Sequence, residues 1–438
     1  MRPTRLLIVA YAFPPAGGVS VLRSLSFARY LPRLGCRVFV LSARNPSVAL
    51  RDPSLGKHIP PQVRVYRTFT PELPFTWRDR LWKGVRSDTP APSGQPIPAT
   101  KDPLWKRAAR AAIHAVAAPD PQRGWVPFAF HKAKRIIQEH GIDTVLVSVP
   151  PFSGLGIGVR LKQAMPHLKL ISDFRDDWPY TLKGLNAGQS PGLWDKVKGY
   201  EQRAVELSDY VVSVTPAWVE GLRCRYPSQP SGKFLYVSNG YDPEAFPTFP
   251  SDPPRRQRLV LTHAGSVQQN PVYSPSPVLD ALDGLDEDEA AQLEVRLVGR
   301  VAPAAEPILR NRRVSVTRYG FVPHAEALRL IGESDILLLI LGNAAGHSAK
   351  LFEYLASGRA ILAVGPGGSE VQQVLQETGG GHYVEATDQA GIRDLVRQAL
   401  RAWREGQPWI DHRHQAAIEA YTRPALAARL ACLTGLIE

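Results

Sequence analysis

Short apolar runs separated by helix-length segments constrain the fold of this 438-residue chain more than any other feature. Residues 6–10, 36–41, 144–149, 168–172, 210–214 and 234–237 are such runs in the first half, and residues 259–264, 294–298, 335–340 and 360–364 in the second. They are rich in Val, Ile and Leu and too short for helices, which is the signature of buried strands. Between them lie helix-like segments such as residues 20–34 and 154–163. Strand–helix–strand alternation implies parallel sheets covered on both faces. The expected fold class is therefore α/β and doubly wound, and the length is enough for two or three domains with real cores.

Ligands of such sheets bind beyond the carboxyl ends of the strands, so the segments there are the first candidates. After the first run come Tyr11-Ala12-Phe13-Pro14-Pro15-Ala16-Gly17-Gly18. Gly17 and Gly18 either let the backbone approach a ligand or make a plain turn. After residues 168–172 comes Asp173-Phe174-Arg175-Asp176-Asp177-Trp178, which either faces a ligand or is a set of mutually satisfied charges before the next helix. After residues 335–340, a loop leads into Gly346-His347-Ser348-Ala349-Lys350-Leu351-Phe352-Glu353. A helix starting there presents unpaired N–H groups and a positive dipole end, a ready site for phosphate. Lys350 adds a full charge, and Glu353, one turn on, is placed to accept hydrogen bonds from a ribose. The alternative is that both side chains merely face solvent.

Lys350-Leu-Phe-Glu-Tyr-Leu-Ala-Ser-Gly-Arg359, followed by an apolar strand, resembles the donor-binding segment of glycosyltransferase family 4. The family pattern is Glu, seven residues, Glu. Glu353 matches the second Glu, and the first falls on Ala345. Ser238-Asn-Gly-Tyr-Asp242 is similar to the Asn-Gly-x-Asp that ends the family's first domain, and Pro14-Pro-x-Gly-Gly18 to its acceptor and phosphate loop. Residues 319–326, with Val322 among them, resemble the loop that holds the nucleotide base. Two departures stand out. The family's usual His falls on Arg175, and Ser266, after Gly265, replaces the Arg that normally contacts diphosphate. Arg300 is a candidate to restore the missing charge.

The resemblance implies a GT-B fold, two Rossmann-like domains facing a central cleft, and a retaining transfer of sugar from a nucleotide sugar, UDP or GDP sugar, to a hydroxyl of a glycan, lipid-linked or small-molecule acceptor. It implies a catalytic set of Arg175, Asp176 and Lys350. The implied donor-binding set is Gly17, Gly18, Gly265, Ser266, Arg300, Val322, Gly346, His347, Ser348, Ala349, Leu351 and Glu353. No metal and no other cofactor is expected. Two other readings remain: a related GT-B enzyme such as a nucleotide-sugar epimerase or hydrolase, for which Asp173, Asp176 and His347 are available as bases, and a non-catalytic nucleotide-sugar-binding subunit. The expected domains are residues 1–245 for the acceptor, 258–410 for the donor, and a helical tail at 411–438 crossing back to the first.

Residues 71–124 depart from the periodic pattern. They are rich in Pro and basic, and 77–83 and 104–116 carry Trp beside Lys and Arg. A cationic amphipathic helix with Trp suits an anionic membrane surface, or it packs on its own domain with a solvated basic face. The net charge of +13 fits anionic partners or an Arg-rich composition. Cys36, Cys224 and Cys432 are dispersed, giving no metal or disulfide spacing and favouring a reducing cytoplasm, with attachment to the inner membrane face as an option. There is no Gly-x-Gly-x-x-Gly, P-loop or zinc spacing, and no nucleic-acid-binding motif.

Overall fold

The computed structural model describes residues 3–48, 50–72, 119–177, 191–244, 246, 249, 256–269, 274–410 and 412–437. The chain forms two compact units, residues 1–238 with 427–438, and residues 239–426. Residues 77–83 and 104–116, Trp178 and much of the expected linker at 243–257 lie outside the described residues.

The first unit is built on β1 (Arg5–Ala10), β2 (Arg37–Ala43), β3 (Arg64–Thr68), β4 (Thr144–Val149), β5 (Lys169–Phe174), β6 (Tyr210–Ser213) and β7 (Phe234–Tyr236). They form a seven-stranded sheet in the order β3-β2-β1-β4-β5-β6-β7, parallel throughout. The helices are α1 (Val19–Tyr30), α2 (Trp125–His140), α3 (Leu155–Ala164), α4 (Pro191–Leu207) and α5 (Pro216–Arg225). Leu6, Leu7 and Ile8 of β1 are all fully buried, as a strand covered on both faces requires.

The second unit holds β8 (Leu259–Ala264), β9 (Leu293–Val298), β10 (Ser315–Gly320), β11 (Ile336–Ile340), β12 (Ala360–Gly365) and β13 (Gly381–Glu385). They make a six-stranded sheet in the order β10-β9-β8-β11-β12-β13, again parallel. Its helices are α6 (Ser276–Leu282), α7 (Glu287–Ala291), α8 (His324–Gly332), α9 (Ala349–Ala356), α10 (Glu370–Thr378), α11 (Gln389–Glu405), α12 (Gln415–Glu419) and α13 (Arg423–Leu433), the last continuing into the first unit. The period of two divides the sheet's side chains between two cores. Ile336, Leu338, Leu362 and Val364 pack with Ile392 and Val396 of α11 on one face. Leu337, Leu339, Ile361 and Ala363 pack with Leu351, Phe352, Tyr354 and Leu355 of α9 on the other. Those four positions form one face of α9, and each fully buried Leu contributes ~1.5–3 kcal/mol. Gly358, at φ +74°, ends the helix in the left-handed conformation that a glycine tolerates best.

Strand order reverses between β1 and β4 in the first unit and between β8 and β11 in the second. Those two points are where a doubly wound sheet opens a crevice at its carboxyl edge. The loops after β1 and β8, which carry Gly17 and Gly265, both start there.

One expectation from the sequence needs revision. The tail from residue 412 is not one helical stretch. Tyr241 N–H donates to Tyr421 O at 3.2 Å, and Arg423 N–H to Tyr241 O at 2.8 Å. The backbone at 421–423 is thus paired with residue 241, and Pro424 suits the first turn of a new helix. The strands β3, β10 and β13 were not visible as apolar runs. They are the sheet edges or next to solvent, half-buried, and carry Arg, Tyr, Thr and His instead.

Candidate functional site

The second unit's switch point is built from three segments. β8 ends at Ala264, and Gly265 N–H donates to Val298 O at 2.7 Å, so the strand ends of β8 and β9 stay zipped. A Cβ on Gly299 would lie 2.2 Å from Gly265 O, so only glycine allows that approach. Ala264 N–H donates to the hydroxyl of the fully buried Tyr354 at 2.9 Å. This bond clamps the end of β8 to α9, and burial pushes the Tyr354 phenol well above its ordinary value.

Above Gly265 sits Lys350. A Cβ on residue 265 would lie 1.9 Å from its Nζ, so the amine occupies the space a side chain would take. Burial lowers the Lys350 amine to about 8, with Glu353 working the other way. Glu353 is half-buried one turn on. Burial raises its carboxyl, against the positive influence of His324, Arg423 and Lys350. Ser348 is the N-cap of α9, but its side chain makes no capping bond. The first N–H groups of α9 are therefore uncapped by that hydroxyl. Leu351 N–H donates to Ser348 O at 3.0 Å, and Leu351 itself is core. Gly346 and His347 form the half-buried entry loop, and Ala349, also half-buried, is the first residue of α9. His347 meets Phe352 edge-on with ring centroids 5.7 Å apart, and burial lowers its imidazole to about 4. Of the residues singled out in the sequence, Gly265 and Lys350 are in direct contact, and Glu353 acts electrostatically on the Lys350 amine.

Ser266, Arg300 and Phe321 are exposed around that centre, and Val322 is half-buried. The Arg300 guanidinium lies over the Phe321 ring, 5.1 Å from its centroid.

In the first unit, Gly17 N–H donates to Leu50 O at 3.0 Å. Gly18, at φ +92°, opens α1. Arg175 directs its guanidinium to backbone carbonyls, with Nε 3.2 Å from Val149 O, Nη2 2.5 Å from Pro150 O and Nη1 on Ser20 O. Burial lowers its pKa, with Asp173 and Asp176 opposing and Arg23 reinforcing. Asp176 is exposed beside it. Asp173 is fully buried and accepts from Arg23 Nε at 3.0 and 3.1 Å, Arg23 Nη2 at 2.8 Å and Ser148 Oγ at 2.8 Å. With its oxygens held by Arg23 and Ser148 and no solvent exposure, this carboxylate is part of the first unit's core. Arg23 was missed from the sequence. Its signal was a lone Arg in the otherwise apolar and small first turns of α1. Arg175 and Asp176 belong to the first unit, and Lys350 and Glu353 to the second.

Among the described residues, no group of three His, Cys, Asp or Glu side chains is arranged to hold a metal ion. No helix among them is long and apolar enough to cross a membrane.

Two units with Rossmann-like parallel sheets, each reversing strand order at its centre, are consistent with the GT-B architecture. Comparison with solved structures agrees. Sucrose-phosphate synthase from Thermosynechococcus elongatus aligns over 98% of both chains, with a TM-score of 0.62 and 14% identity. The Anabaena protein HepE, solved in complex with UDP, aligns over 99% of this chain and 100% of its own, with a TM-score of 0.61 and 13% identity. WaaG, a glycosyltransferase involved in lipopolysaccharide biosynthesis, covers 98% and 100%, with a TM-score of 0.58 and 14% identity. At these identities the likeness establishes the fold. No protein-family model matches the chain, and no curated protein matches its sequence.

Proposed function

We propose that this protein is a retaining glycosyltransferase that binds a nucleotide-sugar donor on its second unit and transfers the sugar to a hydroxyl acceptor. The observation that carries the reading is the Lys350 amine lying over a side-chain-free Gly265 beside the uncapped start of α9. An amine, helix N–H groups and bare backbone suit a diphosphate. Glu353, one turn along α9, is placed for the ribose. That HepE was solved with UDP, and that WaaG is a glycosyltransferase, support this reading.

In this scheme the chain works by positioning and charge. Lys350 and the α9 N–H groups stabilise the phosphate oxygen on which charge develops as the glycosidic bond breaks. The leaving phosphate takes the proton of the acceptor hydroxyl on the same face of the sugar. Glu353 fixes the nucleoside end. The acceptor binds on the first unit, where Gly17, Gly18 and Asp176 lie at the carboxyl edge of the sheet.

The test is a thermal-shift screen of UDP, GDP, ADP and dTDP sugars, followed by transfer assays with and without acceptor. A donor at 100 times its dissociation constant adds ~2.7 kcal/mol of stability. Stabilisation by a nucleotide sugar that Lys350→Met abolishes, with acceptor-dependent turnover, is expected. Turnover without acceptor would reassign the chain to hydrolysis or epimerisation, and stabilisation without any turnover to a binding subunit.

A further inference from the structure

His263 is the next-to-last residue of the buried strand β8, only 2% exposed, and no role has been assigned to it above. Its Nδ1 lies 3.1 Å from Leu338 O of β11. A carbonyl only accepts, so Nδ1 carries the proton and Nε2 is left as a bare acceptor. Nε2 is shielded from solvent, and no hydrogen-bond donor reaches it. A buried acceptor without a donor is costly to keep. The amine of Lys350 is next to it. The position a Cβ would take on Gly265 is 1.9 Å from Lys350 Nζ and 3.3 Å from His263 Nε2. Burial, reinforced by the Lys350 charge, holds the imidazole down at about 3, so it stays neutral at any working pH. The other charged group acting on the amine is Glu353 of α9, which itself feels His324 of α8 and Arg423 of α13.

We propose that His263 is the positioning residue for Lys350: the two make no hydrogen bond in the structure, and a small rotation of the flexible lysine chain gives Nε2 one of the three ammonium protons and fixes the amine over Gly265. Two protons then remain for a ligand oxygen. A neutral acceptor suits this role because it satisfies the ammonium without competing with an anionic ligand, as a carboxylate would. The proposal rests on the donor-site reading above for its purpose, but the pairing itself can be tested without a substrate.

His263→Asn keeps a donor for Leu338 O and loses the acceptor near Lys350. His263→Gln places an amide oxygen close to where Nε2 lies. The Lys350 peptide is labelled with acetic anhydride across pH 6–10 and quantified by mass spectrometry. Losing a hydrogen bond to an ammonium lowers the protonated fraction, so His263→Asn is expected to label about tenfold faster at pH 7, and His263→Gln within about twofold of wild type. Equal labelling of wild type and His263→Asn would overturn the proposal. Because His263 is buried, Lys350→Met provides a second arm at a half-buried position. In long-range proton–nitrogen spectra, the His263 Nε2 resonance is expected to shift downfield by several ppm when its donor is removed, and an unmoved resonance would also overturn the pairing. In transfer assays His263→Asn should lower kcat about tenfold while His263→Gln keeps it within about threefold. If labelling and spectra behave as expected but no donor is turned over, the donor-site reading fails and the pairing stands.

Discussion

Replacing Lys350 by Met should make the ligand-free protein more stable at neutral pH. The amine titrates near 8 instead of the usual 10.5. At ~1.4 kcal/mol per pH unit, keeping it charged in place costs about 3 kcal/mol, and its half-exposed stem reduces this to about 1–3 kcal/mol. The sign follows from proton counting. Between the folded and unfolded values the unfolded chain binds more protons, so stability rises with pH across that window. Below about 8 the destabilisation is fully present, and above 10.5 it is gone. Met keeps the length and apolar body of the side chain without the charge. The melting temperature of Lys350→Met should therefore exceed that of wild type at pH 7, by about 2–4 °C per kcal/mol for a unit of this size. The gap should close as the pH approaches 10.5. Differential scanning calorimetry at half-unit pH steps reads it directly. A variant less stable than wild type at pH 7, or a gap independent of pH, would refute the argument that the amine is held there against its own solvation.

Three further substitutions have definite outcomes. Glu353→Gln should lower donor affinity by about 10–100-fold in calorimetric titration while leaving the melting temperature within a few degrees, because the charged hydrogen bond to ribose proposed for it is worth ~1.5–3 kcal/mol. Gly299→Ala should destabilise by ~1–3 kcal/mol in urea titration, since its Cβ meets backbone and not a movable side chain, 2.2 Å from Gly265 O. Asp173→Asn should destabilise by ~3–5 kcal/mol, because it leaves the Arg23 guanidinium buried without its counter-charge, and Arg23→Met combined with Asp173→Leu should recover most of the loss in the same melts.

The central strands were legible in the sequence because parallel strands covered on both faces must be continuously apolar, as Leu337-Leu338-Leu339 shows. The edge strands β3, β10 and β13 were not, because a strand with one neighbour keeps polar side chains such as Arg318 and His382; the fourth edge, β7, was legible because Phe234-Leu235-Tyr236 is apolar. The start of α9 was legible from a single pattern, an apolar strand followed by a loop, a Lys and a Glu. His263 was not, since an isolated His in a strand reads as filler until its neighbours are known. Arg175 shows the opposite limit. Its place after β5 was readable, but the three carbonyls that take up its donors come from residues 20, 149 and 150, far from it in sequence.

The second unit's shortage of positive charge leads to a last prediction. Where the family 4 pattern that the sequence resembles has Arg, this chain has Ser266, and the Arg300 guanidinium covers the exposed Phe321 ring. At the carboxyl edge by Gly265 the full charge is supplied by Lys350, assisted by the N–H groups of α9. A diphosphate bound there raises the pKa of that amine, because an opposite charge favours its protonated form. Donor binding then requires the ammonium. In the free protein that state declines above about pH 8. The dissociation constant for a nucleotide sugar should thus be flat with pH below about 8 and rise about tenfold per pH unit above it. Titration in two buffers of different ionisation enthalpy should show about half a proton taken up per donor bound at pH 8. In Lys350→Met the affinity should be lower and independent of pH through this range. A wild-type affinity that stays flat to pH 9.5 would mean that the diphosphate draws its counter-charge from a group other than Lys350.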